Sequence, residues 1–179
     1  MIYLFLADGF EEIEALATVD VLRRAGCDLV TVGVGGKKIT GAHQIEVTAD
    51  IEEKEAVTDG LDMVVLPGGM PGTLNLEKSP IVKAVIRYCA ENDRYICAIC
   101  AAPSILGHMN LLKEHTATCF PGYEQELHAK TVSDGPVCVS GKIITARGAG
   151  VAVEFALQIV EVLFGAEKSK KLRKSMQCM

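Results

Sequence analysis

The sequence predicts an α/β fold: a doubly wound, mostly parallel sheet with helices packed on both faces. Three observations carry that expectation. Short apolar runs rich in Val, Ile and Leu alternate with helical stretches along the chain, which is how strand–turn–helix units build parallel sheets. Aromatic residues make up only 5% of the 179 and Trp is absent, so the core must be aliphatic, as in a sheet buried on both faces. Hydrophobic residues reach 49% against 23% charged, a folding composition that excludes a disordered or low-complexity chain. No repeat, linker or compositional break divides the sequence. One domain over residues 1–179 is therefore expected, with a basic tail from about 166.

The elements follow in order. Ile2–Leu6 is an apolar first strand, and Asp8-Gly9-Phe10-Glu11 reads as a capping box for a helix reaching Ala25-Gly26. Residues 29–34 form a second strand, and residues 37–48 alternate weakly around Gly41 as a small β-hairpin excursion. Met63–Leu66 is a short strand stopped by Pro67-Gly68-Gly69. Ser79 and Pro80 supply the N-cap and first turn of a helix through Ala90. Tyr95–Ile99 is the next strand, with a helix starting soon after Cys100. Residues 116–119 and 137–139 are shorter strand candidates. Ile143–Ala146 is the last strand, and residues 151–163 form the last strong helix, ending at Gly165.

The formal charge is −5, unevenly placed. All 23 acidic residues and 13 of the 18 basic ones lie in residues 1–167, leaving that body at −10. Lys168, Lys170, Lys171, Arg173 and Lys174 crowd the remainder. An acidic body repels phosphate backbones, so no nucleic-acid partner is expected, and the basic tail reads as a solvated or fraying last helix. The first residues lack a basic region, and no apolar run approaches the ~18 residues of a membrane span. A cytoplasmic setting is expected, with no membrane partner and the seven cysteines reduced.

In such sheets ligands sit beyond the carboxyl ends of the strands. Those ends carry Asp8, Glu11, Glu12 and Glu14, then Gly68 and Gly69, then Cys100, and finally Arg147-Gly148-Ala149-Gly150. None of the glycine-rich turns matches a phosphate loop or a dinucleotide fingerprint, so no cofactor is expected.

Cys100 passes from a buried strand straight into a helix start, flanked two residues away by Ala98 and Ala102. That is the spacing of a nucleophile elbow, where strand and helix backbones approach closely. Amides converging on the sulfur would favour thiolate. The N–H of Ala101, with one from Gly68 or Gly69, would form an oxyanion hole. The alternative is that Cys100 is one more small buried residue. Cys97 and Cys100 also match C-x-x-C, but three residues apart along a strand they should face opposite sides, leaving Cys97 in the core. No second cysteine pair stands at ligand spacing, and His43, His108, His115 and His128 form no zinc motif, so no metal site is expected.

The helical neighbours of Glu14 are Ala17, Thr18, Val21 and Ala25, so its carboxyl is expected to face inward with a raised pKa. A protonated carboxyl beside a thiolate can donate a hydrogen bond and later shuttle the proton. A carboxyl that only complements the helix dipole is the competing reading for Glu14, and the one preferred for Glu11 and Glu12.

Five motifs in order complete the picture: Asp8-Gly-Phe-Glu-Glu-Ile-Glu14-Ala, Asp20-Val-Leu-Arg-Arg-Ala-Gly26, Val64-Val-Leu-Pro-Gly-Gly69, Ala98-Ile-Cys-Ala-Ala-Pro103 and Thr145-Ala-Arg-Gly-Ala-Gly150. Together they resemble the DJ-1/ThiJ/PfpI superfamily, and within it the deglycase branch. The resemblance implies a flavodoxin-like α/β/α sandwich, a homodimer, Cys100 as nucleophile, Glu14 as its carboxyl partner, and Gly69 and Ala101 as backbone donors. Two departures matter. Ala101 stands where peptidase-like branches carry a His directly after the nucleophile, which argues against proteolysis. Phe120, before Pro121, stands where members described as glyoxalases carry a His. His43 or His115 would have to substitute in space, and His43, Phe120, Arg147 and Gly148 are candidate pocket residues.

The resemblance thus implies cofactor-independent thiol chemistry on a small reactive carbonyl such as methylglyoxal, or on early glycation adducts, in stress protection. The missing His predicts a slow enzyme. The alternative is a non-enzymatic oxidative-stress sensor or chaperone built on an oxidisable Cys100.

Overall fold

A computed structural model describes residues 1–178. The elements are β1 (Ile2–Leu6), α1 (Glu12–Arg24), β2 (Leu29–Gly33), a hairpin of β3 (Lys38–Thr40) and β4 (Glu46–Thr48), β5 (Ile51–Glu52), β6 (Met63–Leu66), α2 (Gly72–Lys78) and α3 (Pro80–Glu91). Then come β7 (Tyr95–Ile99), α4 (Pro103–His108), β8 (Thr116–Ala117), β9 (Thr131–Val132), β10 (Val137–Ser140), β11 (Ile143–Ala146), α5 (Ala152–Phe164) and α6 (Ala166–Ser175). Seven strands form one sheet in the order β10-β11-β7-β6-β1-β2-β5. Every neighbouring pair is parallel except β10 against β11. The chain winds outward from β1 through β2 to β5, then returns to β6 on the other side. Strand order therefore switches between β1 and β6, where a crevice opens beyond their carboxyl ends.

The alternation of side chains along β1 divides the interior into two layers. Leu4 and Leu6 join Cys97, Ile99, Ile144 and the helix residues Val21, Leu22, Phe155 and Ile159 on one face. Tyr3 and Phe5 join Val64, Leu66, Ala98 and the α3–α4 residues Val85, Ile86, Ile105 and Leu106 on the other. The strands read as unbroken apolar runs because both faces are covered. Among the described residues, no helix is long and apolar enough to cross a membrane.

Local chemistry explains the helix ends, with two corrections. Ser79 caps α3 as expected, its Oγ accepting from the Val82 N–H at 3.2 Å with Pro80 in the first turn. The capping box at Asp8 does not form. Asp8 Oδ1 instead accepts from the Thr40 N–H at 2.8 Å, which ties the hairpin to the end of β1, and α1 starts later, with Glu11 at its N-cap and no side-chain cap. The basic tail is a last helix with its lysines solvated, as expected, but it does not fray. It forms α6, docked on α5 by the Ser169 Oγ bond to the Leu157 carbonyl (2.8 Å) and by the Arg173–Glu154 ion pair (2.6 Å). Three short elements, β5, β9 and α2, were not expected from the sequence.

Phe155 is fully buried between α5, α1 and the sheet. Phe155→Ala is expected to cost about 3–5 kcal/mol, read as a fall in urea midpoint at unchanged slope.

Candidate active site

The site is built around one glycine. A Cβ placed on Gly68 would lie 2.6 Å from Cys100 Cβ and 2.8 Å from Glu14 Oε2. Those distances are impossible for any larger residue, so the Pro-Gly-Gly turn after β6 is what lets a thiol from β7 and a carboxyl from α1 converge. The Gly68 N–H donates to Glu14 Oε2 at 2.8 Å, and its carbonyl accepts from the Glu11 N–H at 2.9 Å, which anchors the first turn of α1.

Cys100 follows β7 directly at φ +66°, a left-handed conformation that is costly for a side-chain-bearing residue. Two backbone bonds hold it there: its N–H donates to the Ala146 carbonyl (2.9 Å) and its carbonyl accepts from the Phe120 N–H (2.8 Å). This kink also corrects one expectation. Strand alternation ends at Ile99, so Cys100 borders the same hydrophobic layer as Cys97 rather than the opposite one. Cys97 is core as expected, and all seven cysteines are free. Ala98 and Ala102 are fully buried beside the elbow.

Glu14 is 1% exposed. Oε2 takes the Gly68 bond, whereas Oε1 is buried without a hydrogen-bond partner among the described residues. Burial pushes this carboxyl up to about 7, against the pull of the Gly68 amide and the Cys100 thiol, with Glu11 adding a small push. The inward-facing reading of Glu14 is the right one.

The electrostatics of the sulfur overturn a second expectation. The N–H groups of Gly69 and Ala101 do point at Cys100, but they are outweighed. Burial first, and the neighbouring Glu14 second, push the thiol up to about 12. The carboxylate opposes ionisation of the thiol, whereas the protonated thiol's hydrogen bond favours the carboxylate, so the pair retains a proton through neutrality instead of presenting a standing thiolate. Gly68 is not an oxyanion donor either, because its N–H is committed to Glu14. That leaves Gly69 and Ala101.

The remaining candidates divide. Gly148 belongs to the site: a Cβ there would sit 3.9 Å from Glu14 Oε1 and 3.2 Å from Phe120 Cδ2. Phe120 and Arg147 join it along a groove of about 440 Å³, with Arg147 Nη1 donating to the Asp134 carbonyl at 3.3 Å. His43 does not stand in for the missing His. Its ring and backbone N–H bond to Glu12 at 2.9 and 2.7 Å, with Glu11 at 3.5 Å. His115 lies at the opposite end of the sheet, bonded to Ser140 in the β10–β11 turn.

Glu12 sits in the first turn of α1, where a carboxyl complements the helix dipole as expected, yet it is only 5% exposed. It also binds the hairpin loop, and the missing Cβ of Gly41 leaves it room. Glu11, Glu12 and His43 bring ligand-type atoms within 4.8 Å of one another, but hydrogen bonds within the group and to the hairpin backbone account for this clustering.

The Glu14 environment has a consequence for stability. Its folded pKa of about 7 lies above the ordinary value of 4.5, so its contribution is favourable below the lower value and is lost as pH rises through the upper one. Wild-type protein should therefore lose urea stability relative to Glu14→Gln between those two values, and a pH-independent difference would contradict a buried, proton-holding Glu14.

Known proteins share this arrangement of chain. The family model described as "DJ-1/PfpI family" matches residues 1–162. Protein DJ-1 homolog B of Arabidopsis thaliana is 36% identical over 172 residues, covering 95% of this chain but 39% of that longer protein. The glutathione-independent glyoxalase DJR-1.2 of Caenorhabditis elegans is 32% identical, covering 93% of this chain and 89% of that one. The crystal structure of Drosophila melanogaster DJ-1beta superimposes with a TM-score of 0.95 at 33% identity, over 99% of this chain and 97% of the other. A family model spanning most of the sequence, and a solved structure matched from end to end, establish that this chain belongs to the DJ-1/PfpI family.

Proposed function

We propose that this protein is a cofactor-independent thiol enzyme that converts small α-oxoaldehydes such as methylglyoxal into hydroxy acids, and acts on early glycation adducts at the same site. The observation that carries this reading is the Cys100–Glu14 pair, packed across Gly68 with one buried carboxylate oxygen unpartnered among the described residues. A relative of this chain described as a glutathione-independent glyoxalase supports the reaction class.

The chemistry follows from the pair. As Cys100 Sγ attacks the aldehyde carbon, the Glu14 carboxylate takes the thiol proton. A carbon–sulfur bond forms, and the carbonyl oxygen gains negative charge beside the Gly69 and Ala101 N–H groups, then takes the proton from Glu14 to give a hemithioacetal. Glu14 next removes the hydrogen from that carbon as a proton, giving an enediolate, and returns it to the adjacent carbon while the hydroxyl proton of the first carbon passes to the neighbouring oxygen. The product is a hydroxy thioester. Water cleaves the carbon–sulfur bond, releasing the hydroxy acid and the Cys100 thiol. One carbon is oxidised and its neighbour reduced, so no external electron acceptor is needed. A carboxyl held near 7 suits alternating base and acid roles.

Three features set the expected rate and setting. With Phe120 in place of a His, a general acid worth roughly 10²–10⁴-fold is missing, so turnover is slow. Ala101 after the nucleophile argues against peptidase activity. The working unit is taken to be a homodimer in the cytoplasm, and the exposed apolar side chains Ile13 and Leu16 on α1 and Ile45 beside β4 support the self-association.

Cys100→Ala and Glu14→Ala are each expected to slow methylglyoxal consumption at least about 100-fold. In the wild type, kcat/KM should rise with pH through about 7 as Glu14 becomes the base. Unchanged consumption in either variant would sink the proposal. If Cys100 meanwhile takes up two oxygen atoms under mild peroxide, the site passes to the oxidation-sensing reading.

A further inference from the structure

We propose that Phe120 gives this site a preference for α-oxoaldehydes bearing an aryl or bulky alkyl substituent, an inference that rests on the α-oxoaldehyde reading above. Three observations converge on it. Phe120 is 47% exposed although it is among the most hydrophobic side chains of the chain, and an apolar ring left open on a concave surface is a contact waiting for a ligand. The ring does not stand alone. It lines the groove with Pro121, Pro136, Gly148 and Val151, a wall mostly of carbon, with Arg147 as its one charged member.

The groove also adjoins the reacting residues, through Gly148. The Phe120 N–H is bonded to the Cys100 carbonyl at 2.8 Å, which ties the Phe120 backbone to the elbow. Gly148 separates the ring from the carboxyl: its missing Cβ would lie 3.2 Å from Phe120 Cδ2 and 3.9 Å from Glu14 Oε1. That same Oε1 is buried and unpartnered among the described residues. An unsatisfied buried oxygen aimed past a bare glycine marks where a polar substrate atom belongs, and the ring beyond marks where the substituent lies.

Physical chemistry then fixes the occupant. A Phe ring cannot hydrogen-bond a carbonyl or shuttle a proton, so its only contribution is apolar contact. With the two carbonyl groups held at Cys100 and Glu14, the substituent points along the groove. A methyl group reaches little of that wall, whereas a phenyl ring can lie against Phe120 and the two prolines. Apolar pockets discriminate by roughly 10–200-fold for even small changes in hydrocarbon bulk.

The test compares kcat/KM for phenylglyoxal and methylglyoxal, following release of mandelate and lactate by NMR so that arginine modification is not counted. Wild-type protein is expected to favour phenylglyoxal at least about tenfold, Phe120→Leu to keep part of that ratio, and Phe120→Ala to bring it near unity. A turnover that depends on Cys100 but has the same ratio in wild type and Phe120→Ala overturns this inference and leaves the enzymatic reading standing. If neither substrate is turned over, the enzymatic reading fails, and Cys100→Ser protein titrated with mandelate and lactate decides the remaining question. Mandelate binding at least about tenfold tighter, lost with Phe120→Ala, upholds the groove's preference. Equal binding of the two overturns it.

Discussion

A buried carboxyl and a thiol share the space that a single missing Cβ leaves open at Gly68. Burial alone would leave Glu14 an inert protonated acid, and alone would leave Cys100 an inert thiol. Placed together, each group's ionisation is tied to the other's proton. The surrounding backbone is committed to keeping that arrangement. Gly68 donates to the carboxyl, Ala146 and Phe120 fix the elbow, and the Gly69 and Ala101 amides wait for charge to develop on a substrate oxygen. A site of this kind stabilises charge when it appears rather than storing it beforehand, which is where differential transition-state binding comes from.

The topology explains why these residues meet. β1 and β6 are neighbours whose following connections leave to opposite sides of the sheet, so α1 and the Pro-Gly-Gly turn both open from the same crevice. β7 and β11 lie next in order and deliver Cys100 and Gly148 to the same edge. The site is thus assembled from the ends of four adjacent strands. Rigid strands hold each contribution, and the flexible part of the molecule's chemistry is left to the proton.

The sequence made the four central strands legible, because strands covered on both faces must be continuous apolar runs, and β1, β6, β7 and β11 fall where that pattern places them. It also exposed Glu14, whose helical neighbours contain no basic partner. What stayed hidden depended on partners distant in the chain. Glu12 looks like any first-turn acid until the hairpin folds over it from about thirty residues away. Asp8 looks like an N-cap until Thr40 claims its oxygen. The two-residue strands β5 and β9 exist only because a neighbour pairs with them. The state of the sulfur is hidden for a related reason: counting amides near Cys100 gives their sign, but not the larger opposing effect of burial beside a second acid.

The account stands on the proton held between residues 14 and 100, and its most direct test is a carbon-13 NMR titration of the Glu14 side-chain carboxyl. The predicted result is an inflection near 7 that moves when Cys100 is replaced by alanine, because the two groups titrate as a pair. An inflection at the ordinary carboxylate value, or one indifferent to the loss of the sulfur, would contradict it.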